Sequence, residues 1–210
     1  MTFSLDLPAG PLAESALTLV RSSECAPIAN HSLRSFFFAQ LLAAHEGCEQ
    51  DAAYDRGLLF AATVMHDLGT GALAKGDARF EVEGADLAAA VLREHGVCEP
   101  DVDRVWEAIA LHTSPGIAER RGLLAYLTRE GVGIDFGRRP EIVSAWAPRI
   151  HAAYPRLAMV RSLVDAIVER AARSPAAGPR YCIGGELLRE RRACGSTEME
   201  RIAAASPWGE

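Results

Sequence analysis

The chain has 210 residues, 49% of them apolar, and no low-complexity tract, enough for one substantial core near the upper end of common single-domain sizes. Acids outnumber bases 28 to 22 for a formal charge of -6, with Lys and Arg scattered among the acids; this argues against a nucleic-acid footprint, which needs a clustered basic face, and favours a small diffusible substrate. No stretch reaches the roughly 18 apolar residues of a membrane span, the N-terminal residues lack the basic and apolar regions of a signal peptide, and the five cysteines show no CxxC spacing, so a cytoplasmic protein with reduced thiols and no membrane partner is expected.

Residues 1–10, with Pro8 and Gly10, read as an irregular arm. Leu12, Ala16, Leu19 and Val20 are spaced for a first amphipathic helix. Asn30 suits the N-cap of a helix over 32–44, in which Phe36, Phe37 and Phe38 bury a wide face; His31 then lies in the first turn, with Arg34 one turn on and on the same side. Asp51 reads as the cap of the next helix, a nearly all-apolar run through Leu58, Phe60 and Val64 that ends in His66 and Asp67 and is broken by Gly69. An imidazole and a carboxylate at the tip of a buried run need a partner, because an uncompensated buried charge is costly, and a cation is the simplest one.

Residues 70–83 show no clear period and read as a flap, with Thr70, Lys75, Phe80 and Glu81 as candidate pocket lining. A helix over 84–95 aligns Gly84, Ala88, Val91 and His95, and another opened by Pro100 aligns Val102, Val105, Ile109 and His112. Each delivers a histidine at the C-terminal end of a buried face. Ile117 to Arg129 reads as a helix, and 131–137 as a glycine-punctuated turn in which Asp135, between Ile134 and Phe136, is the expected closing metal ligand. Asp165, beside Arg161, suits a solvent-facing pair, and His45 and His151 read as surface residues. A short helix over 140–147 and a long one over 155–173 follow; beyond Ser174 the chain reads as an irregular tail packed on the domain or on a second copy, which leaves a homo-oligomer open. With no alternating strand pattern and no internal repeat, the expected class is all-α in a single domain.

His31, then the adjacent His66 and Asp67, then Asp135, in an all-helical chain, resemble the HD superfamily of metal-dependent hydrolases over roughly 30–137. Within that span His31-Ser32-Leu33-Arg34, Met65-His66-Asp67-Leu68-Gly69, Phe80-Glu81-Val82-Glu83-Gly84-Ala85 and Ala108-Ile109-Ala110-Leu111-His112-Thr113 are similar to the cyanamide hydratase-like branch. The resemblance implies an HD-type helical bundle around a central metal site. In it His31, His66, Asp67 and Asp135 hold one divalent transition metal, with His95 and His112 available to a second. A donor set of imidazole and carboxylate suits zinc first, with iron or manganese as alternatives. The ion activates a water that adds to cyanamide or another small nitrile, with Asp67 or Glu81 moving the proton and Arg34 anchoring substrate or balancing charge. Other members of the superfamily are phosphohydrolases; here the usual basic residue after the His-Asp turn is replaced by Thr70, which favours a neutral substrate. A metal-stabilised binding protein without turnover is the third reading.

Overall fold

The phenylalanine run lies in the middle of the longest helix of the computed structural model, which describes residues 3–209; residues 1 and 2 of the expected arm lie outside the described residues. This helix, α2 (Ala26–Glu46), begins at an extended Cys25 with Pro27 in its first turn. Asn30 therefore sits inside the helix, not at its cap, and its amide donates to the Pro155 carbonyl at 2.8 Å. Phe36, Phe37 and Phe38 are all fully buried, so α2 is covered on nearly every side.

Around α2 stand α1 (Pro11–Ser23), α3 (Arg56–Val64), α4 (Phe80–Glu94), α5 (Glu99–Leu111) and α6 (Leu123–Asp135). Asp55, not Asp51, caps α3, accepting from the amides of Gly57 and Leu58. The glycine-rich segment expected as a turn is helical: α6 runs through Gly131 and Gly133 and ends at Asp135. A Cβ on Gly131 would lie 2.5 Å from the Ser35 carbonyl oxygen and 2.8 Å from the Ala39 Cβ. The glycine thus serves close packing of α6 on α2, which sets Asp135 beside His31. The expected helix start at Ile117 is only a single tight turn, Ala118–Arg120.

The chain continues through α7 (Pro140–Val143), α8 (Ala147–Ala153) and α9 (Met159–Ala171). The tail, expected to be irregular, forms α10 (Ile183–Cys194) and α11 (Glu198–Ala204). Leu187 and Ala203 from these helices join Leu163, Val164 and Ile167 of α9 and Phe80 of α4 in a second apolar cluster beside the main core. Arg191 ties the tail down through Asp165 at 2.6 Å and Glu200 at 2.9 Å, so Arg191, not Arg161, is the partner of Asp165. Among the described residues there are eleven α-helices and no strand, the architecture expected from the sequence. None of these helices is long and apolar enough to cross a membrane.

Candidate metal centre

The apolar run of α3 ends at Met65, and the chain turns through His66 and Asp67 into a short tight helix, Leu68–Thr70. Two glycines let α4 dock on this turn. A Cβ on Gly69 would lie 1.8 Å from the Phe80 carbonyl oxygen, and one on Gly84 would lie 3.0 Å from the Gly69 nitrogen. The start of α4, with Phe80 and Glu81, is thereby held against the His-Asp turn. Thr70 closes the turn by donating its hydroxyl to the Asp67 carbonyl at 2.8 Å.

Four buried side chains converge on one point. One ligand atom from each of His31, His66 and Asp67 lies within 4.8 Å of the others. The Nε2 atoms of His66 and His31 stand 3.1 Å and 3.8 Å from Asp67 Oδ2, and Nε2 of His112 stands 3.8 Å from Asp67 Oδ1. Each ring is fixed by its other nitrogen: Nδ1 of His31 lies 2.6 Å from Asp135 Oδ2, that of His66 2.8 Å from the Thr63 carbonyl, and that of His112 2.6 Å from the Ile109 carbonyl. A carbonyl or carboxylate oxygen accepts, so each ring donates from Nδ1 and turns its Nε2 toward Asp67.

Neutral imidazole lone pairs facing a carboxylate repel one another, and a cation relieves that repulsion. Nε2 of His31, Nε2 of His66 and Oδ2 of Asp67 are buried without a hydrogen-bond partner. A divalent cation satisfies all three, and the mixed imidazole and carboxylate set without thiolate fits zinc, iron or manganese alike. Protonation follows the same geometry. Burial pushes His31 below its ordinary value, and burial together with His66 pushes His112 down to about 4. Burial opposes charge on His66 as well, but the Asp67 carboxylate and the Thr63 carbonyl outweigh it and hold this ring above its ordinary value. Burial also opposes ionisation of Asp67, yet His66, His31 and His112 keep it well below the usual carboxylate range.

Asp135, expected as the closing ligand, stands behind His31 and does not face the cluster. Its Oδ1 accepts from Arg34 Nε at 2.7 Å and Arg156 Nη1 at 3.2 Å, and its Oδ2 accepts from Arg34 Nη2 at 2.7 Å and from His31. Burial works against its charge, but Arg34, the nearby His151 ring and the hydrogen bonds from His31 and Arg34 hold it well below the ordinary range. Asp135 is thus the carboxylate that orients a histidine. Arg34, fully buried, is committed to Asp135 and to the carbonyls of Tyr154 and Pro155, so it balances charge and does not reach substrate. His151, expected at the surface, lies 3.7 Å from Asp135 Oδ1, its ring against Phe38 and Trp208.

Glu81 is buried beside the cluster, where Oε1 accepts from Thr113 Oγ1 at 2.6 Å and Arg79 Nη2 at 2.7 Å. Thr113, which sequence reasoning did not single out, lines the cavity next to His112; its place directly after that histidine was the available signal. His95 does not join the cluster: it is exposed and bonds the Ser15 hydroxyl at 2.9 Å, because α4 ends on the far side of the domain. The expected flap is a stapled loop, whose amides at Gly76, Asp77 and Ala78 donate to Glu83. Lys75 is exposed on it and, like Thr70, is absent from the cavity wall, whereas Phe80 is part of it.

The cavity in front of the cluster measures about 250 Å³. Its floor is His31, His66, Asp67 and His112, and its walls are mostly apolar, from Phe80, Val132, Phe136, Leu163, Ile167 and residues of the tail. Of its two arginines, Arg129 is held by Glu119 at 3.1 Å and the His112 carbonyl at 2.7 Å, and Arg138 lies 3.3 Å from Glu130.

A search among curated proteins gave no significant match. The family description of the HD domain, by contrast, matches residues 28–171, a span that holds all four residues of the cluster and Asp135 behind it. The chain belongs to the HD domain family.

Proposed function

We propose that the protein is a metal-dependent hydratase that adds water to the carbon of a small neutral nitrile, the reaction of the cyanamide hydratase-like branch. HD domains are generally metal-dependent hydrolases, and a cation held by the cluster would supply a water acidified toward neutral pH. The remaining work falls to the chain. His31, His66 and His112 turn Nε2 toward the cation position because the Nδ1 positions are held by Asp135, Thr63 and Ile109, and burial keeps His31 and His112 unprotonated there. In the hydration a carbon–oxygen bond forms as one π bond of the nitrile breaks and nitrogen takes one proton, giving an imidic acid; the hydroxyl proton then moves to nitrogen as the remaining carbon–nitrogen π bond gives way to a carbon–oxygen one, leaving an amide or, from cyanamide, urea. Glu81 lies behind Thr113, which lines the cavity and donates to it, and in this reading the pair takes the proton from water and passes it on.

The observation that carries this reading is the electrostatics of the cavity. Both arginines in its lining already face a carboxylate, and Arg34 faces Asp135. A phosphate ester would need cations free to meet its charge. The second reading, a phosphohydrolase, is favoured by one feature, the half-exposed Arg138 at the cavity mouth. Purified protein should carry about one transition-metal ion per chain and form urea or amide from cyanamide or small nitriles. Release of phosphate from nucleotides, with no hydration of any nitrile, overturns the proposal.

A further inference from the structure

The apolar half of the cavity wall is supplied partly by chain that lies outside the family match. The match ends at residue 171, whereas Ile183 opens α10 and Met199 lies in the first turn of α11, and both line the cavity. They pack in one apolar cluster with Leu163 and Ile167 of α9 and with Phe80 and Phe136, so much of the cavity lining beyond the His–Asp cluster is apolar. The tail that carries them is fixed in place. Arg191 bridges Asp165 and Glu200, the α11 cap is a reciprocal Thr197–Glu200 box, and the Trp208 indole donates to the Ile134 carbonyl at 2.7 Å while stacking on Phe38.

At about 250 Å³ the cavity is just under the roughly 300 Å³ at which sites for drug-sized ligands begin. Cyanamide, with three heavy atoms and no apolar body, would leave most of that wall unmatched. An apolar wall without a ligand surface to cover gains nothing from the substrate, whereas each methylene moved from water onto it adds to affinity.

Resting on the hydratase reading for the reacting group, we infer that the natural substrate carries an apolar body, a short alkyl chain or a ring, and that the C-terminal helices, through Ile183 and Met199, set the length that fits. The test is binding of the unbranched primary amides from acetamide to hexanamide, the products such nitriles would give, to zinc-loaded protein by ligand-observed nuclear magnetic resonance. Affinity should rise about fifteenfold for every two methylenes until the cavity is full, the ratio that follows from roughly 0.8 kcal/mol per buried CH₂. Ile183→Ala and Met199→Ala should each weaken hexanamide several-fold and leave acetamide unchanged. Ile183→Trp, which fills the space, should abolish the preference for the longer chain, with folding of all three variants checked by circular dichroism. A flat series, or a rising one that none of the folded variants alters, overturns the inference. The two proposals fail separately: wall-dependent binding of long amides without hydration of any nitrile defeats only the hydratase reading, and turnover of cyanamide with a flat amide series defeats only this one.

Discussion

Replacing Asp135 by alanine separates support of a buried charge from ligation of a metal. The carboxylate takes two hydrogen bonds of 2.7 Å from Arg34, one of 2.6 Å from His31 and one of 3.2 Å from Arg156. Arg34 is fully buried, and without Asp135 it keeps only the carbonyls of Tyr154 and Pro155. Removing one partner of a buried ion pair costs roughly 3–5 kcal/mol. For a chain of this size each kcal/mol moves the melting temperature by about 2–4 °C, so a fall of roughly 6–20 °C is expected. The measurement is thermal unfolding followed by circular dichroism, once in a chelator and once in excess zinc. Because the loss arises from Arg34 and not from the metal, it should persist in the chelator. Zinc affinity should also fall, by about 10- to 100-fold, since His31 loses the group that orients it. If Asp135→Ala melts with wild-type protein in the chelator and differs only in zinc, Asp135 is a ligand and the geometry has been misread.

Stripping the metal from wild-type protein should lower its melting temperature by about 5–11 °C relative to zinc at a hundred times its Kd, the shift that corresponds to about 2.7 kcal/mol of linkage; identical melting curves count against any metal. Gly69→Ala would drive a Cβ to 1.8 Å from the Phe80 carbonyl oxygen, so it should destabilise by about 1–3 kcal/mol or more and impair metal retention, and wild-type melting would contradict the close approach. His95→Ala should leave zinc stoichiometry intact and change stability by no more than about 0.5 kcal/mol, because the residue is exposed; loss of an ion on titration would restore it as a ligand. Both carboxylate oxygens of Glu24 are buried without a partner, and burial, followed by the charge of Asp67, raises its pKa well above the ordinary value. The folded state therefore holds this proton more tightly than the unfolded chain, and stability present below the ordinary glutamate pKa is lost as pH rises through the folded value; Glu24→Gln should melt higher than wild type at about pH 8 and match it near pH 4, and a lower melting point at pH 8 would mean that Glu24 has a partner.

The parts of the fold legible in the sequence were those written in local pattern. The apolar run into His66 and Asp67, the Pro100 start of α5 and the stripe ending at His112 all lie where periodicity places them. Boundaries set by tertiary contact were not legible. Gly131 reads locally as a turn residue, yet it lies in a helix because Ser35 and Ala39 of α2 press against it. Likewise His95 and His112 share the same local signature, a histidine closing an apolar stripe, and only the direction in which each helix leaves the core separates them. His151 and Arg156 carry no pattern that links them to Asp135, since their approach is made by turns of the chain around α8. The tail was misread because α10 has a sparse apolar face among Glu and Arg residues, and its helicity is secured by pairs such as Arg191 with Asp165.

The order of charges around the centre is what the proposed neutral reacting group rests on. Among the atoms that face the cation position, only Asp67 is anionic; the three imidazoles have their Nδ1 positions engaged, and burial disfavours a second proton on His31 and His112. A divalent ion opposed by a single carboxylate keeps net positive charge in a region where charges act strongly. One layer further out, Asp135 is matched by Arg34 and Arg156, and Glu81 by Arg79, so these anions do not reduce that charge and these cations do not reach the cavity. On the proposed reading, a divalent ion held there would acidify a water and polarise a carbon–nitrogen triple bond. A phosphoryl group would bring further negative charge into a space whose arginines already have partners, and the mostly apolar wall opposite would leave that charge without solvation. The proposed neutral substrate asks for no inward arginine, and Arg34, fully buried, commits its guanidinium to Asp135.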